Sequence, residues 1–124
     1  MIDKSPFCGI NKPANESNLT DAEKKHIPII TAPDTVKAGE PFDVTIEVGS
    51  IPHVMEIVHH IQWIDLYSGD NFISKVVLTP EFTKAKVTLT LVKSGAHPTA
   101  TLRAVERCNV HGMWEATKKI TIKS

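Results

Sequence analysis

From Pro41 onward, apolar side chains fall at every second position. Phe42, Val44, Ile46 and Val48 alternate with Asp43, Thr45 and Glu47, and Ala85, Val87, Leu89 and Leu91 alternate with lysine and threonine. Successive side chains of an extended chain point to opposite faces, so this period predicts strands with one face buried. The runs His60 to Tyr67 and Phe72 to Leu78 flank Ser68-Gly69-Asp70-Asn71, whose composition is that of a hairpin turn. Thr99 to Val105, Met113 to Ile122 and Ile29 to Val36 read as further strands, about seven in all.

Helical periodicity is nearly absent. Thr20-Asp21-Ala22-Glu23 has the spacing of a capping box and predicts one short helical turn. Residues 1–19 lack either period, and the stretch around Cys8 is rich in Pro, Asn and Gly, which predicts an N-terminal arm. Residues 20–124 suffice for one hydrophobic core and read as a single domain. The expected fold class is all-β: an immunoglobulin-like antiparallel β-sandwich of about seven strands, preceded by an N-terminal loop or short helical turn.

Composition narrows the function by exclusion. Fourteen basic and fourteen acidic residues cancel, so the molecule as a whole has no electrostatic drive toward nucleic acid or membrane. No apolar run approaches the roughly 18 residues of a membrane-crossing helix. Met1-Ile2-Asp3-Lys4-Ser5-Pro6 has no apolar leader core, and a cytoplasmic location is the resulting expectation. Asn15-Glu16-Ser17 matches a glycosylation acceptor but reads as a chance match without a secretory signal. Two cysteines, Cys8 and Cys108, cannot build a tetracysteine iron centre, and no structural disulfide between them is expected in a reducing compartment.

The chemistry concentrates in Cys108-Asn109-Val110-His111 taken with His26, His53 and His59. One thiolate and four imidazoles make a full donor set for one transition metal. Sulfur with several nitrogens suits iron, copper or zinc, and the lack of a carboxylate cluster argues against calcium or magnesium. Structural zinc usually closes at four ligands, so five donors move iron or copper ahead.

Chain geometry adds a condition. Residues 53 and 59 on a straight strand would sit roughly 20 Å apart, a gap that two imidazoles with metal–nitrogen bonds of about 2 Å cannot close. His53 to His59 must therefore fold back as a loop, as Pro52 before it allows. Cys108 and His111 can share an ion from a tight turn beside Gly112. His59 and His60 face opposite ways on a strand, so only one of them can serve.

His53 beside Ile51-Pro52, the run His59-His60-Ile61-Gln62-Trp63-Ile64 and the block Cys108-Asn109-Val110-His111-Gly112 together resemble superoxide reductase of the one-iron class, also called neelaredoxin. The resemblance runs from about Glu23 to the C-terminus. It implies the sandwich fold, reduction of superoxide to hydrogen peroxide, and an iron held by His26, His53, His59 and His111 with Cys108 axial. It also implies a rubredoxin-like electron donor and a homotetramer, and it leaves His60 and His97 outside the ligand set.

Glu23-Lys24-Lys25-His26-Ile27-Pro28 is similar to the family's Glu-Lys-His-x-Pro loop with one lysine more. By resemblance Glu23 ligates the oxidised metal, and a loop lysine attracts superoxide or orders water. That lysine is Lys24 if its adjacency to Glu23 matters and Lys25 if adjacency to His26 matters; Lys24 is the favoured reading. Val54 stands where the family often has proline. From the residues alone, Glu23 reads as a helix cap, Lys24 and Lys25 as a solvated face, and Trp63, Trp114 and Phe42 as core, with a tryptophan able to screen the site.

A second reading is a blue-copper electron-transfer protein, in which Cys108, His111 and an upstream histidine bind copper; Met113 reads as strand, with axial ligation by it left open. It needs only two histidines and leaves His26 and one of His53 or His59 without a role.

Overall fold

The computed structural model describes Ser5 and residues 7–124; the part of the expected arm at residues 1–4 and at Pro6 lies outside the described residues. The alternating segment Phe42–Val48 is strand β4, with Phe42, Val44, Ile46 and Val48 buried and Asp43 exposed. It centres a three-stranded sheet, between β2 (Pro28–Thr31) and β7 (Lys86–Leu91), both antiparallel to it.

The larger sheet runs in the order β1 (Ile10–Asn11), β9 (Gly112–Lys123), β8 (Thr99–Cys108), β5 (Ile61–Ser68), β6 (Asn71–Val77). The β5–β6 hairpin turns through Gly69-Asp70, as its composition predicts. The two sheets close over Ile46, Ile61, Ile64, Leu66, Leu102 and Ile120, all essentially inaccessible. This is the expected sandwich.

Two expectations are revised in detail. Ile29 to Val36 is two strands rather than one, because Ala32-Pro33-Asp34 lies between β2 and β3 (Thr35–Lys37). Proline offers no N–H to a ladder and fixes its own φ, so pairing stops there. The chain then changes sheets, β2 pairing with β4 and β3 with β9. Nor is the pairing wholly antiparallel: β1 and β3 run parallel to β9, at its two ends. Asn11 of the expected arm thereby lies beside Trp114.

The one helix among the described residues, α1 (Asp21–His26), forms where the capping box predicts it. Thr20 Oγ1 accepts from the Glu23 N–H at 3.1 Å, and Glu23 Oε1 accepts from the Thr20 N–H at 2.8 Å. The helix ends at Ile27, already extended and followed by Pro28. Its last turn docks on the loop after β4, where the Lys24 carbonyl accepts from the Ile51 N–H at 3.1 Å.

Gly49 makes this docking possible, since a Cβ there would lie 2.2 Å from the Lys24 carbonyl oxygen and 2.9 Å from the Lys25 carbonyl carbon. Both are backbone atoms, which cannot rotate aside. Gly49→Ala is therefore expected to push α1, and His26 with it, off the sandwich at a cost of about 1–3 kcal/mol. Thermal unfolding should show a midpoint several degrees lower; an unchanged midpoint would mean that the helix is not seated on Gly49.

Candidate metal centre

Four separate pieces of chain deliver the predicted donors to one end of the sandwich. His26 comes from the last turn of α1, His53 and His59 from the loop between β4 and β5, Cys108 from the end of β8, and His111 from the turn into β9. The 53–59 segment does fold back: Glu56 and His59 exchange backbone hydrogen bonds of 2.9 and 3.1 Å. Gly112, at φ +78°, closes the β8–β9 turn opposite Cys108 in a conformation that glycine adopts without a Cβ penalty.

The imidazoles form a closed circuit. Ring centroids lie 4.9 Å apart for His26–His53, 4.7 Å for His53–His59, 5.2 Å for His59–His111 and 4.8 Å for His111–His26, each pair edge to face. Cys108 is wholly buried, with Sγ 3.6 Å from His53 Nε2 and 3.7 Å from His111 Nδ1. Among the described residues, one donor atom from each of His26, His59, Cys108 and His111 lies within 4.8 Å of the others. A cavity of about 530 Å³ opens against all four histidines but not Cys108. The thiol therefore lies on the inner side of the ring and the open space on the outer side.

Each imidazole is oriented by its surroundings. His26 Nδ1–H donates to the Ala22 carbonyl and His53 Nδ1–H to the Val54 carbonyl, both at 2.7 Å, which leaves each Nε2 as the acceptor, that of His26 without a partner and that of His53 facing Cys108 Sγ. Trp114 stacks on His26 at 5.0 Å and donates its Nε1–H to the His111 carbonyl at 3.0 Å, so it screens the site. Burial lowers the pKa of His26 and His59 and takes His53 down to about 4, keeping all three neutral at pH 7. Burial pushes the Cys108 thiol up, against the Val110 and His111 N–H groups, which pull it down.

The donor chemistry fits a metal. His26 Nε2 and His59 Nε2 are buried with no hydrogen-bond partner, a cost of about 1–3 kcal/mol each that a bound cation would remove. Neutral nitrogens and a thiol that can ionise are what a borderline transition metal requires.

The remaining predicted residues sort clearly. The Glu23 carboxylate is buried and outside the cavity. Besides capping α1, it accepts from the Ala14 N–H at 3.0 Å, and the Thr20 and Ala14 hydrogen bonds lower its pKa. Lys25 lines the cavity and its charge contributes to the lowered pKa of His26 and His59, whereas the Lys24 backbone faces the 49–51 turn. His60 turns away from the ring, its Nδ1 donating to the Glu56 carbonyl at 3.1 Å. His97 lines a separate hollow with Ser68 and Lys93. Cys8 and Cys108 are both free, the first exposed. Trp63 is not core: it lies between Lys75 and Arg107 on the outer face of the larger sheet.

Met113 lies off the site. It pairs with Arg107, while Cys108 pairs with Gly112 and Glu106 with Trp114. Directly opposed residues share a face and successive ones alternate, so Met113 points away from Cys108 and is no axial ligand. Sequence reasoning overlooked Asn109, which ties the two ligand loops together, and Glu106, fully buried two residues before Cys108, with its pKa raised by burial to about 9. Asn109 was in view as a motif letter, but nothing in the sequence gives its partners.

Known proteins resemble this chain over most of its length. The desulfoferrodoxin family model matches residues 18–117. A Methanocaldococcus jannaschii protein provisionally named a superoxide reductase is 46% identical over 119 residues, covering 94% of this chain and 97% of that one. Neelaredoxin of Megalodesulfovibrio gigas is 32% identical, covering 81% and 89%. The solved superoxide reductase (neelaredoxin) of Ignicoccus hospitalis superposes with a TM-score of 0.77 at 34% identity, covering 92% of this chain and 95% of that one. This chain belongs to the desulfoferrodoxin family.

Proposed function

We propose that this chain is a superoxide reductase, catalysing the addition of one electron and two protons to superoxide to give hydrogen peroxide. The observation that carries the reading is the closed ring of four imidazoles with a buried thiol on one side and an open cavity on the other. His26, His53, His59, His111 and Cys108 would hold one iron per chain. Iron bound there supplies the electron by passing between its ferrous and ferric states.

The protein's part is electrostatic and steric. Neutral imidazoles cancel none of a cation's charge and Cys108 cancels one unit, so the cavity keeps a positive potential although the molecule's net charge is zero. Burial of Cys108 excludes water from the thiolate side and leaves the cavity as the way in. Lys25, exposed on the cavity wall, draws the anion inward and orders water for its protonation. Motif adjacency favours Lys24 for the same role, and the rate comparison below decides between the two.

Glu23 is proposed as the carboxylate that reaches the oxidised metal, which requires it to release Thr20 and Ala14. A rubredoxin-like protein is the proposed donor, and exposed Ile57, Val58 and Val110 on the ligand loops offer it an uncharged surface. Among the described residues no helix is long and apolar enough to cross a membrane; a cytoplasmic location is proposed. A homotetramer is also proposed, and edge strand β6, with Phe72 and Val77 exposed, is surface that association could cover.

Elemental analysis of the purified protein should find about one iron per chain. Cys108→Ala should abolish superoxide reduction while circular dichroism stays that of the sandwich, because the core keeps its other buried side chains, among them Ile46, Ile64, Leu66, Leu102 and Ile120. Stoichiometric copper with no superoxide turnover would overturn the proposal.

An ammonium at an order of 6 Å from an incoming anion contributes about 0.7 kcal/mol in bulk water and roughly 3 kcal/mol at an effective dielectric constant of 20. Because Lys25 is exposed, the lower half of that range applies. Lys25→Thr should therefore slow superoxide capture several-fold and flatten its dependence on ionic strength, with Lys24→Thr having the smaller effect. Stopped-flow rates in the reverse order would return the role to Lys24.

Glu23→Ala separates ligand from cap. A ferric ligand is revealed by an altered ferric spectrum and a changed response to added anions, with the bimolecular reaction nearly intact. An unaltered ferric spectrum combined with a lower unfolding midpoint would leave Glu23 a cap alone.

A further inference from the structure

Each of two proposed metal ligands is followed by the residue that joins their loops: His59 precedes His60, and Cys108 precedes Asn109. Asn109 bonds to residues 58–60 three times. Its backbone N–H donates to the His60 carbonyl at 3.1 Å, its Oδ1 accepts from the His60 N–H at 2.9 Å, and its Nδ2 donates to the Val58 carbonyl at 3.1 Å.

The reason lies in the end of a ladder. Strands β5 and β8 pair as far as Ile61 opposite Cys108. The next step would pair His60 with Asn109, but there the chain turns to present His111, and β8 has ended. The backbone of Asn109 still donates to His60, while its side chain supplies the acceptor that a straight strand would have given from a carbonyl. An amide can accept through Oδ1 and donate through Nδ2 at once, which no carboxylate, hydroxyl or alkyl side chain of that length does in the same geometry. The second bond reaches Val58, whose exposed side chain gives this turn no anchor in the core.

We propose that Asn109 is a positioning residue of the metal centre: it fixes His59 against Cys108 and thereby sets how tightly the chain retains iron. It touches neither the metal nor superoxide. The inference rests on the proposed iron site, so its test begins with metal-free protein.

Asn109→Ala removes both side-chain bonds; Asn109→Asp keeps the acceptor for His60 and loses the donor to Val58. In metal-free protein, amide hydrogen exchange at His60 should be roughly five- to tenfold faster in Asn109→Ala and close to wild type in Asn109→Asp. In iron-loaded protein, release to a competing chelator should be fastest for Asn109→Ala, intermediate for Asn109→Asp and slowest for wild type. The ferric absorption band should shift in Asn109→Ala while far-ultraviolet circular dichroism does not. Wild-type exchange at His60 together with wild-type iron release in Asn109→Ala would overturn the proposal. If Asn109→Ala does not fold, Asn109→Asp decides: faster iron release supports the inference and wild-type release rejects it. If wild type itself retains no iron, the iron-site reading fails, while exchange at His60 still reports whether Asn109 holds the two loops.

Discussion

The constraint on which the site depends is that nitrogen donors without hydrogen-bond partners are buried around a wholly buried thiol. His26 Nε2 and His59 Nε2 have no partner, and Cys108 is inaccessible. An unpaired polar atom out of water is costly, so such a cluster persists only where surrounding structure over-determines it or where a cation completes it. Both conditions are visible. Carbonyls of Ala22 and Val54 fix two rings, Trp114 covers a third side, and the 56–59 turn and Asn109 fix the remaining loop. The sandwich supplies a rigid end, and the loops supply the chemistry.

Legibility in the sequence followed the range of the interactions. Period-two alternation located β4 and β7 because one face of each packs on the core, and the Gly69-Asp70 turn was plain from its residues. The capping box was equally local. The switch of sheets at Pro33 was not seen, although the proline was in view, because Ile29 to Val36 taken as a composition reads as one strand. The parallel pairing of β1 and β3 with β9 depends on chain segments far apart in sequence, and no local pattern encodes it.

The site shows the same division. Donor chemistry and the folding back of 53–59 follow from residue types and reach. Choosing between Lys24 and Lys25 does not, because adjacency in sequence is not direction in space: successive residues of a helix differ by about 100° around its axis. Where the Lys24 backbone meets the 49–51 turn, Lys25 is carried round to the cavity. Met113 failed as a copper ligand for a related reason. It lies close to His111 in sequence but is turned to the opposite face of the sheet by the register of β8 against β9.

Glu23 shows how one short helix couples these functions. The six residues of α1 carry the Glu23 half of the capping box, the cavity lysine and His26, and a helix this short draws its stability from its cap and its packing. If the Glu23 carboxylate left Thr20 and Ala14 to approach the metal, it would loosen the turn that aims His26 Nδ1 at the Ala22 carbonyl. Ligation by Glu23 therefore competes with the placement of a neighbouring ligand. The bond from the Ile51 N–H to the Lys24 carbonyl, for which Gly49 leaves room, holds the C-terminal end of α1 independently of the cap. Were the N-terminal turn to open, that seat at the C-terminal end is what would keep His26 in the ring.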